Sequence, residues 1–118
     1  LCGINGLKCS KLELIVEVRE DMVWDKWWGY FERVVQTERD DWGVYELADE
    51  AKNTVYYGSG MVRTRLLDHL NKKECPLARH YRVEMLGDEA QCRAKEEELL
   101  RQYKMVHGEL PIYNEKIG

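Results

Sequence analysis

Two stretches of the 118-residue chain place chemically capable side chains at helical spacing. In Met61–Lys73, Arg65 and His69 stand four residues apart and share one helix face, bordering a stripe of Val62, Leu66 and Leu70 with Leu67 beside it. Arg63, Lys72 and Lys73 add charge, so the stretch carries four Lys or Arg against the single Asp68, a local +3. Such a face can hold a phosphate backbone through charge attraction and guanidinium hydrogen bonds. The alternative is an ordinary solvated helix surface. In the second stretch, Cys92, Leu99, Tyr103 and Val106 form a seam, and Glu96 stands in it where an apolar residue is expected. A carboxylate aimed inward needs a cation, a metal or hydrogen bonds to offset its desolvation. Otherwise it lies at the edge of the seam and reaches water.

The elements that must position these residues can be read from periodicity. Lys11–Val18 alternates Leu12, Leu14, Val16 and Val18 with Glu13, Ile15 and Glu17, the pattern of a strand with one buried face. From about Asp21 to Gln36 the period becomes helical, with Val23, Trp27, Phe31 and Val34 on one stripe widened by Trp24, Trp28 and Val35. Its tryptophans read as core anchors in preference to a binding platform. Trp42–Ala48 and Thr54–Gly58 read as a hairpin joined by five residues, Asp49–Asn53. Gly58-Ser59-Gly60 reads as the turn that ends the second strand and opens helix Met61–Lys73. A strand over Ala78–Met85 follows. Asp88 then caps a helix running to about Val106, with Gln91 three residues on as its capping-box partner. Leu110–Asn114 reads as an extended tail. The order β-α-β-β-α-β-α, with a central hairpin and no repeat or linker, predicts an α+β layout with an antiparallel sheet flanked by helices.

Composition narrows the class. One domain fits 118 residues, 44% of them hydrophobic and 34% charged. With 18 basic and 22 acidic side chains the formal charge is −4, and the apolar content is too high for a disordered acidic chain. The absence of any run of about 18 apolar residues excludes a membrane-spanning helix, and no membrane partner is expected. Cys2, Cys9, Cys75 and Cys92 are too few and scattered for a disulfide scaffold, and the six residues between Cys2 and Cys9 exceed a zinc-knuckle gap. Reduced thiols in an intracellular protein, cytoplasmic or in a eukaryote nuclear, are expected. The chain begins at Leu1 and not at Met, as a trimmed fragment would, so the missing signal peptide carries little weight.

Gly43-Val44-Tyr45 followed by Tyr56-Tyr57-Gly58, with Tyr45 and Tyr56 eleven residues apart, resembles the paired signature of the GIY-YIG nuclease superfamily. Arg65 seven residues after Gly58, with His69 four further on, resembles that family's arginine helix. Glu96, with Leu99 and Leu100 three and four residues beyond, is similar to its glutamate helix, and Tyr113-Asn114 to its closing Tyr-Asn. The resemblance spans Trp42–Gly118, about two-thirds of the chain, and five elements in order are far more specific than one triplet. It departs mildly at Ser59, where some members carry Lys.

The resemblance implies a small sheet of about three antiparallel strands with flanking helices over residues 42–118. Residues 1–41 would be an extension, a strand and a Trp-rich helix packed on that core. It further implies a metal-dependent endonuclease acting on DNA, with Mg2+ (or Mn2+) held by Glu96. Arg65 would bind the scissile phosphate. Tyr45 and Tyr56 would line the site, with Tyr56 or His69 as proton acceptor. Asn114 would orient the site, Gly58 would allow close backbone approach, and Ser59, Arg63, Lys72 and Lys73 would contact the nucleic acid. His80 and His107 have no motif support and are expected to be structural. Two other readings compete. The net negative charge and the lack of a separate DNA-binding module suit a non-catalytic docking module that kept the fold, and Trp24–Phe31 would suit a protein partner.

Overall fold

The computed structural model describes residues 26–117. The expected strand Lys11–Val18, the first part of the expected helix Asp21–Gln36, and Cys2 and Cys9 lie outside the described residues. The elements are β1 (Trp28–Gly29), α1 (Glu32–Val35), β2 (Trp42–Ala48), β3 (Thr54–Met61), α2 (Val62–Lys72), β4 (His80–Met85), α3 (Glu89–His107) and α4 (Ile112–Ile117). They form an α+β domain around one antiparallel sheet in the order β1-β4-β2-β3. Residues 42–118 supply three of its strands, as expected, and Trp28–Gly29 adds a fourth.

The extra strand comes from the stretch read as a Trp-rich helix, and that expectation is corrected. Gly29 interrupts the apolar stripe, and glycine is among the weakest helix formers. Trp28 and Gly29 instead pair with Tyr81 and His80 of β4, which leaves only the four-residue α1 after Phe31. The aromatic anchors differ accordingly. Trp28 and Phe31 are 42% and 55% exposed, while Tyr30 and Val35 are buried, with the Tyr30 hydroxyl donating to the Leu66 carbonyl at 2.6 Å. Trp27 lies beside the Arg82 guanidinium, 4.3 Å from its ring centre, as a cation–π partner.

β2 is paired on both sides, and Val44, Tyr45, Glu46, Leu47 and Ala48 are all buried. Its alternation sends Tyr45 and Leu47 to one face, with Tyr56, Tyr81 and Val83 of the neighbouring strands, under Val62 and Leu66 of α2. Glu46, Tyr57 and Ser59 point to the other face, which α3 covers with Cys92 buried. Buried Glu46 is compensated there: Arg82 Nε donates to one oxygen at 2.7 Å and the Thr54 hydroxyl to the other.

Three further expectations change. Gly58-Ser59-Gly60 is not a turn; β3 continues through it to Met61, and the chain enters α2 without a loop. Gly60 makes this passage at φ +142°, a conformation that L side chains rarely adopt. Leu110–Asn114 is not an extended tail: after buried Pro111, α4 begins at Ile112. Val106 does not join the α3 seam and is 78% exposed, because the 19-residue helix outruns the sheet. The remaining boundaries agree closely, and Asp88 caps α3 by accepting from the Gln91 N–H at 2.9 Å. Cys75 and Cys92 are free and buried, and no described helix is long and apolar enough to cross a membrane.

Burial has a consequence for pH dependence. It raises the phenols of Tyr30, Tyr45, Tyr56 and Tyr81 above 10.0, pushes Tyr57 up to about 12, and lifts the Cys75 thiol from 9.0 to about 12. For groups whose pKa is raised by folding, the native state holds more protons than the unfolded chain once pH passes the unfolded values. Stability then falls with rising pH, by up to about 1.4 kcal/mol per pH unit for each such group. Denaturant melts should therefore show constant stability near pH 8 and a steep decline between about pH 9 and 11. A flat profile across that window would contradict this account of the core.

Candidate active site

The site is organised by the antiparallel register of β2 and β3, which sets Tyr45 opposite Gly58 and Leu47 opposite Tyr56. The Tyr45 ring lies across Gly58. A Cβ built there would stand 2.5 Å from both Cζ and Oη of Tyr45, so only glycine fits without displacing the ring. Tyr45 is fully buried, and its hydroxyl meets His69 Nε2 at 2.8 Å. The Arg65 guanidinium acts on the same phenol and opposes the rise that burial causes. Tyr45 thus sits beneath the site and does not line its surface.

Arg65 emerges from the first turn of α2 and lays its side chain over Gly60, where an added Cβ would be 2.9 Å from Arg65 Cγ. Tyr56, two residues before Gly58 on the same face, packs edge-on against the His69 ring at 5.1 Å between centres. Its phenol is raised first by burial and then by the Glu96 carboxylate, while the Arg65 guanidinium acts in the opposite direction. Tyr56 therefore lies in the fields of both Arg65 and Glu96. Ser59, on the opposite face of β3, donates its hydroxyl to Glu96 Oε1 at 2.5 Å. Glu96 is half-buried, so the seam position ends in a partly solvated carboxylate held by a hydrogen bond.

Asn114 is buried and clamps the backbone of Tyr57 from both sides. Its Oδ1 accepts from the Tyr57 N–H and its Nδ2 donates to the Tyr57 carbonyl, both at 2.9 Å. This satisfies an outward-facing peptide of the edge strand β3, next to Tyr56. The remaining cations disperse. Arg63 Nη1 donates to the Glu38 carbonyl at 3.4 Å. Lys72 is exposed on the face of Arg65, seven residues or about 10 Å along the axis. Lys73 lines a cleft with Tyr30, Phe31 and Cys75. Of the two histidines without motif support, His80 pairs across from Gly29 and exposed His107 stacks on Tyr103.

His69 is buried with both ring nitrogens engaged, Nε2 by Tyr45 and Nδ1 by Glu74 Oε1 at 2.7 Å. Burial holds its pKa below 6.5 despite the Glu74 carboxylate, so the ring is neutral at neutral pH. Glu74 is the residue that reading the sequence missed. Five residues beyond His69, it would leave the shared face if the helix continued, and nothing in the local pattern announces that Lys73 turns the chain back.

Two clefts, of about 520 and 380 Å3, do not include Tyr56, Arg65 or Glu96, although His69 and Lys73 line the smaller. Tyr56 and Ser59 instead lie on β3, the edge strand of the sheet. An enclosed pocket is what a small ligand requires, whereas an open margin can admit a strand of polymer. For a metal, the donors offered are hard oxygens: the Glu96 carboxylate with the Ser59 and Tyr56 hydroxyls nearby. No group of three His, Cys, Asp or Glu occurs among the described residues. That set fits a magnesium ion keeping most of its waters on one carboxylate, and does not fit zinc or a preformed calcium cage.

The closeness of Gly58 to Tyr45 is directly measurable. Gly58→Ala should lower stability by about 1–3 kcal/mol, as overpacking does. In a domain of this size that is roughly 4–8 °C of Tm per kcal/mol. A thermal melt equal to the parent's would show that the ring does not need that space.

The fold is shared with a solved structure, the GIY-YIG N-terminal endonuclease domain of UvrC from Thermotoga maritima, bound to its catalytic divalent cation, magnesium. The two superpose with a TM-score of 0.57 at 18% sequence identity, over 69% of this chain and 91% of that one. No curated protein matches the sequence. A family described as a domain of unknown function, DUF7508, matches residues 22–105. That match takes in every strand of the sheet, the Arg65 helix and Glu96, and the chain belongs to the DUF7508 family.

Proposed function

We propose that this chain is a metal-dependent endonuclease that hydrolyses phosphodiester bonds in DNA. The observation that carries the reading is the Glu96 carboxylate held by Ser59 on β3, the strand that also bears Tyr56, whose phenol Glu96 raises and Arg65 lowers. Phosphodiester hydrolysis needs counter-charge at phosphorus, an attacking water and a proton acceptor, and these residue types meet each need. The likeness to a magnesium-bound GIY-YIG endonuclease domain supports the same reading.

In this proposal the Arg65 fork receives two oxygens of the scissile phosphate and stabilises the negative charge that grows on them. Ser59 holds Glu96 by one oxygen, and the other would be available to an ion. Glu96 would hold Mg2+ or Mn2+, which supplies positive charge at the phosphate and acidifies water when bound. Tyr56 Oη is the proton acceptor: neutralising Glu96 removes a charge that opposes its ionisation, while Arg65 continues to favour the phenolate. His69 does not take that role, since both its nitrogens are occupied beneath the surface. Tyr56 would first lose its proton to solvent; the phenolate then takes the proton of the attacking water as the P–O bond breaks, and the leaving oxygen takes a proton from bulk water. Lys72 and Ser59 would contact the flanking backbone, and Asn114 keeps the Tyr57 peptide, and with it Tyr56, in place.

The test is cleavage of plasmid, branched, flapped and damaged DNA in Mg2+ or Mn2+. Glu96→Ala and Arg65→Ala should each reduce the rate by at least about 100-fold, as removal of one charge-stabilising group does. Chelation should abolish cutting, and both variants should melt like the parent. If wild-type protein cuts none of these substrates in either metal, the fold serves here as a docking module.

A further inference from the structure

The contact between His69 and Glu74 is built by the backbone as well as by side chains. Lys73 ends α2 at φ 55°, in the left-handed region, and its N–H returns to the carbonyls of His69 and Leu70. The chain reverses there, and the Glu74 N–H also bonds the His69 carbonyl, at 3.2 Å. Glu74 therefore addresses residue 69 twice, by its peptide and by its carboxylate at 2.7 Å from Nδ1. The imidazole side chain is 1% exposed and the carboxylate side chain 32%.

Donor and acceptor roles follow from chemistry. An ionised carboxylate only accepts, so the short contact places the hydrogen on Nδ1. In the neutral ring Nε2 is then a bare acceptor, and the Tyr45 hydroxyl must donate to it. With its proton so committed, the Tyr45 oxygen keeps only lone pairs to offer, and the Arg65 guanidinium, on which Tyr45 has the largest influence, can only donate. The opposite tautomer would set an Nδ1 lone pair against the carboxylate and an Nε2–H against the hydroxyl, reversing the direction of the chain.

We propose that Glu74 is a positioning residue: by accepting from His69 Nδ1–H it fixes the imidazole tautomer, turns the Tyr45 hydroxyl, and so aims the Arg65 guanidinium. The task given to Arg65 rests on the nuclease reading above, whereas the hydrogen-bond chain behind it does not. Outer hydrogen-bond partners of this kind set the tautomer and orientation of the groups that touch substrate. Glu74 touches none itself and acts through two buried residues.

The experiment uses the full chain with 15N-detected imidazole NMR and exchange of the Arg65 Nε–H, on wild type, Glu74→Leu and Glu74→Gln. Wild type should show the Nδ1–H tautomer of His69 and slow Arg65 exchange. Glu74→Leu should mix the tautomers and speed the exchange. Glu74→Gln, whose amide oxygen still accepts, should keep the wild-type signature. An Nε2–H tautomer in wild type, or Arg65 exchange unaltered in Glu74→Leu, overturns the proposal whether or not the protein cuts DNA. Where wild type cleaves, Glu74→Leu should lose about 10–100-fold in rate, the range for removing an outer hydrogen-bond partner. Glu74→Gln should recover most of that loss. Equal losses in both variants would mean that charge, and not the hydrogen bond, was the contribution, which also overturns it. Should Glu74→Leu fail to fold, the wild-type tautomer and the Gln variant still decide the matter.

Discussion

The close approach of the Tyr45 ring to Gly58 is the constraint on which the rest of the site depends. It follows from strand register alone: Tyr45 and Gly58 are opposite partners on one face of an antiparallel pair, so the ring has no neighbour to displace and lies flat across the strand. Lying there, its hydroxyl reaches His69 on α2 and comes under the influence of Arg65 on the same helix. The same register sends Tyr56 to that face two residues away and Ser59 to the opposite one, toward Glu96. A one-residue slip would exchange these faces and disperse the cluster. Asn114 acts against any such slip at the free edge, since it replaces the missing strand at the Tyr57 peptide with both hydrogen bonds.

Much of this was legible in the sequence where a single periodicity decided the outcome. The hairpin, the helix bearing Arg65 and His69, and the Asp88 cap each rest on local signals that tertiary packing did not override. The stretch at Trp27–Phe31 shows the opposite case. Its apolar residues fit a helical stripe, but Gly29 weakens a helix and aromatic side chains suit strands equally well. The open edge of β4 settled the choice through backbone pairing that no local pattern reveals. Gly58-Ser59-Gly60 failed as a turn for a related reason. Glycines there serve close approaches to Tyr45 and Arg65, and a glycine required by a neighbour looks the same in sequence as one required by a turn.

Charge was legible in amount but not in placement. The helix Met61–Lys73 carries the expected cations, yet only Arg65 stands with Tyr56, while Arg63 binds the Glu38 carbonyl and Lys73 lies at the far end. Helical spacing assigns faces, but what each face meets depends on chain segments distant in sequence. Glu46 was equally hidden. A glutamate in a central strand signals a buried charge, but its partner Arg82 is 36 residues away and becomes visible only when β2 and β4 are in register.

The two signature tyrosines show how one residue type is given two tasks by environment. Both phenols are raised by burial, so neither ionises through its surroundings alone. Tyr45 is enclosed and has a fixed donor role toward His69, which leaves it able only to accept from Arg65. Tyr56 is slightly less buried; its ionisation is opposed first by burial, then by the charge of Glu96 and less by Cys75 and Glu74, and is assisted by the permanent charge of Arg65. Whatever neutralises Glu96 therefore acts on Tyr56 directly and on Tyr45 only through Tyr56. Separating a fixed phenol from a switchable one requires that they share a face but not a depth. The β2–β3 hairpin supplies that arrangement by placing one tyrosine on the central strand and the other on the edge.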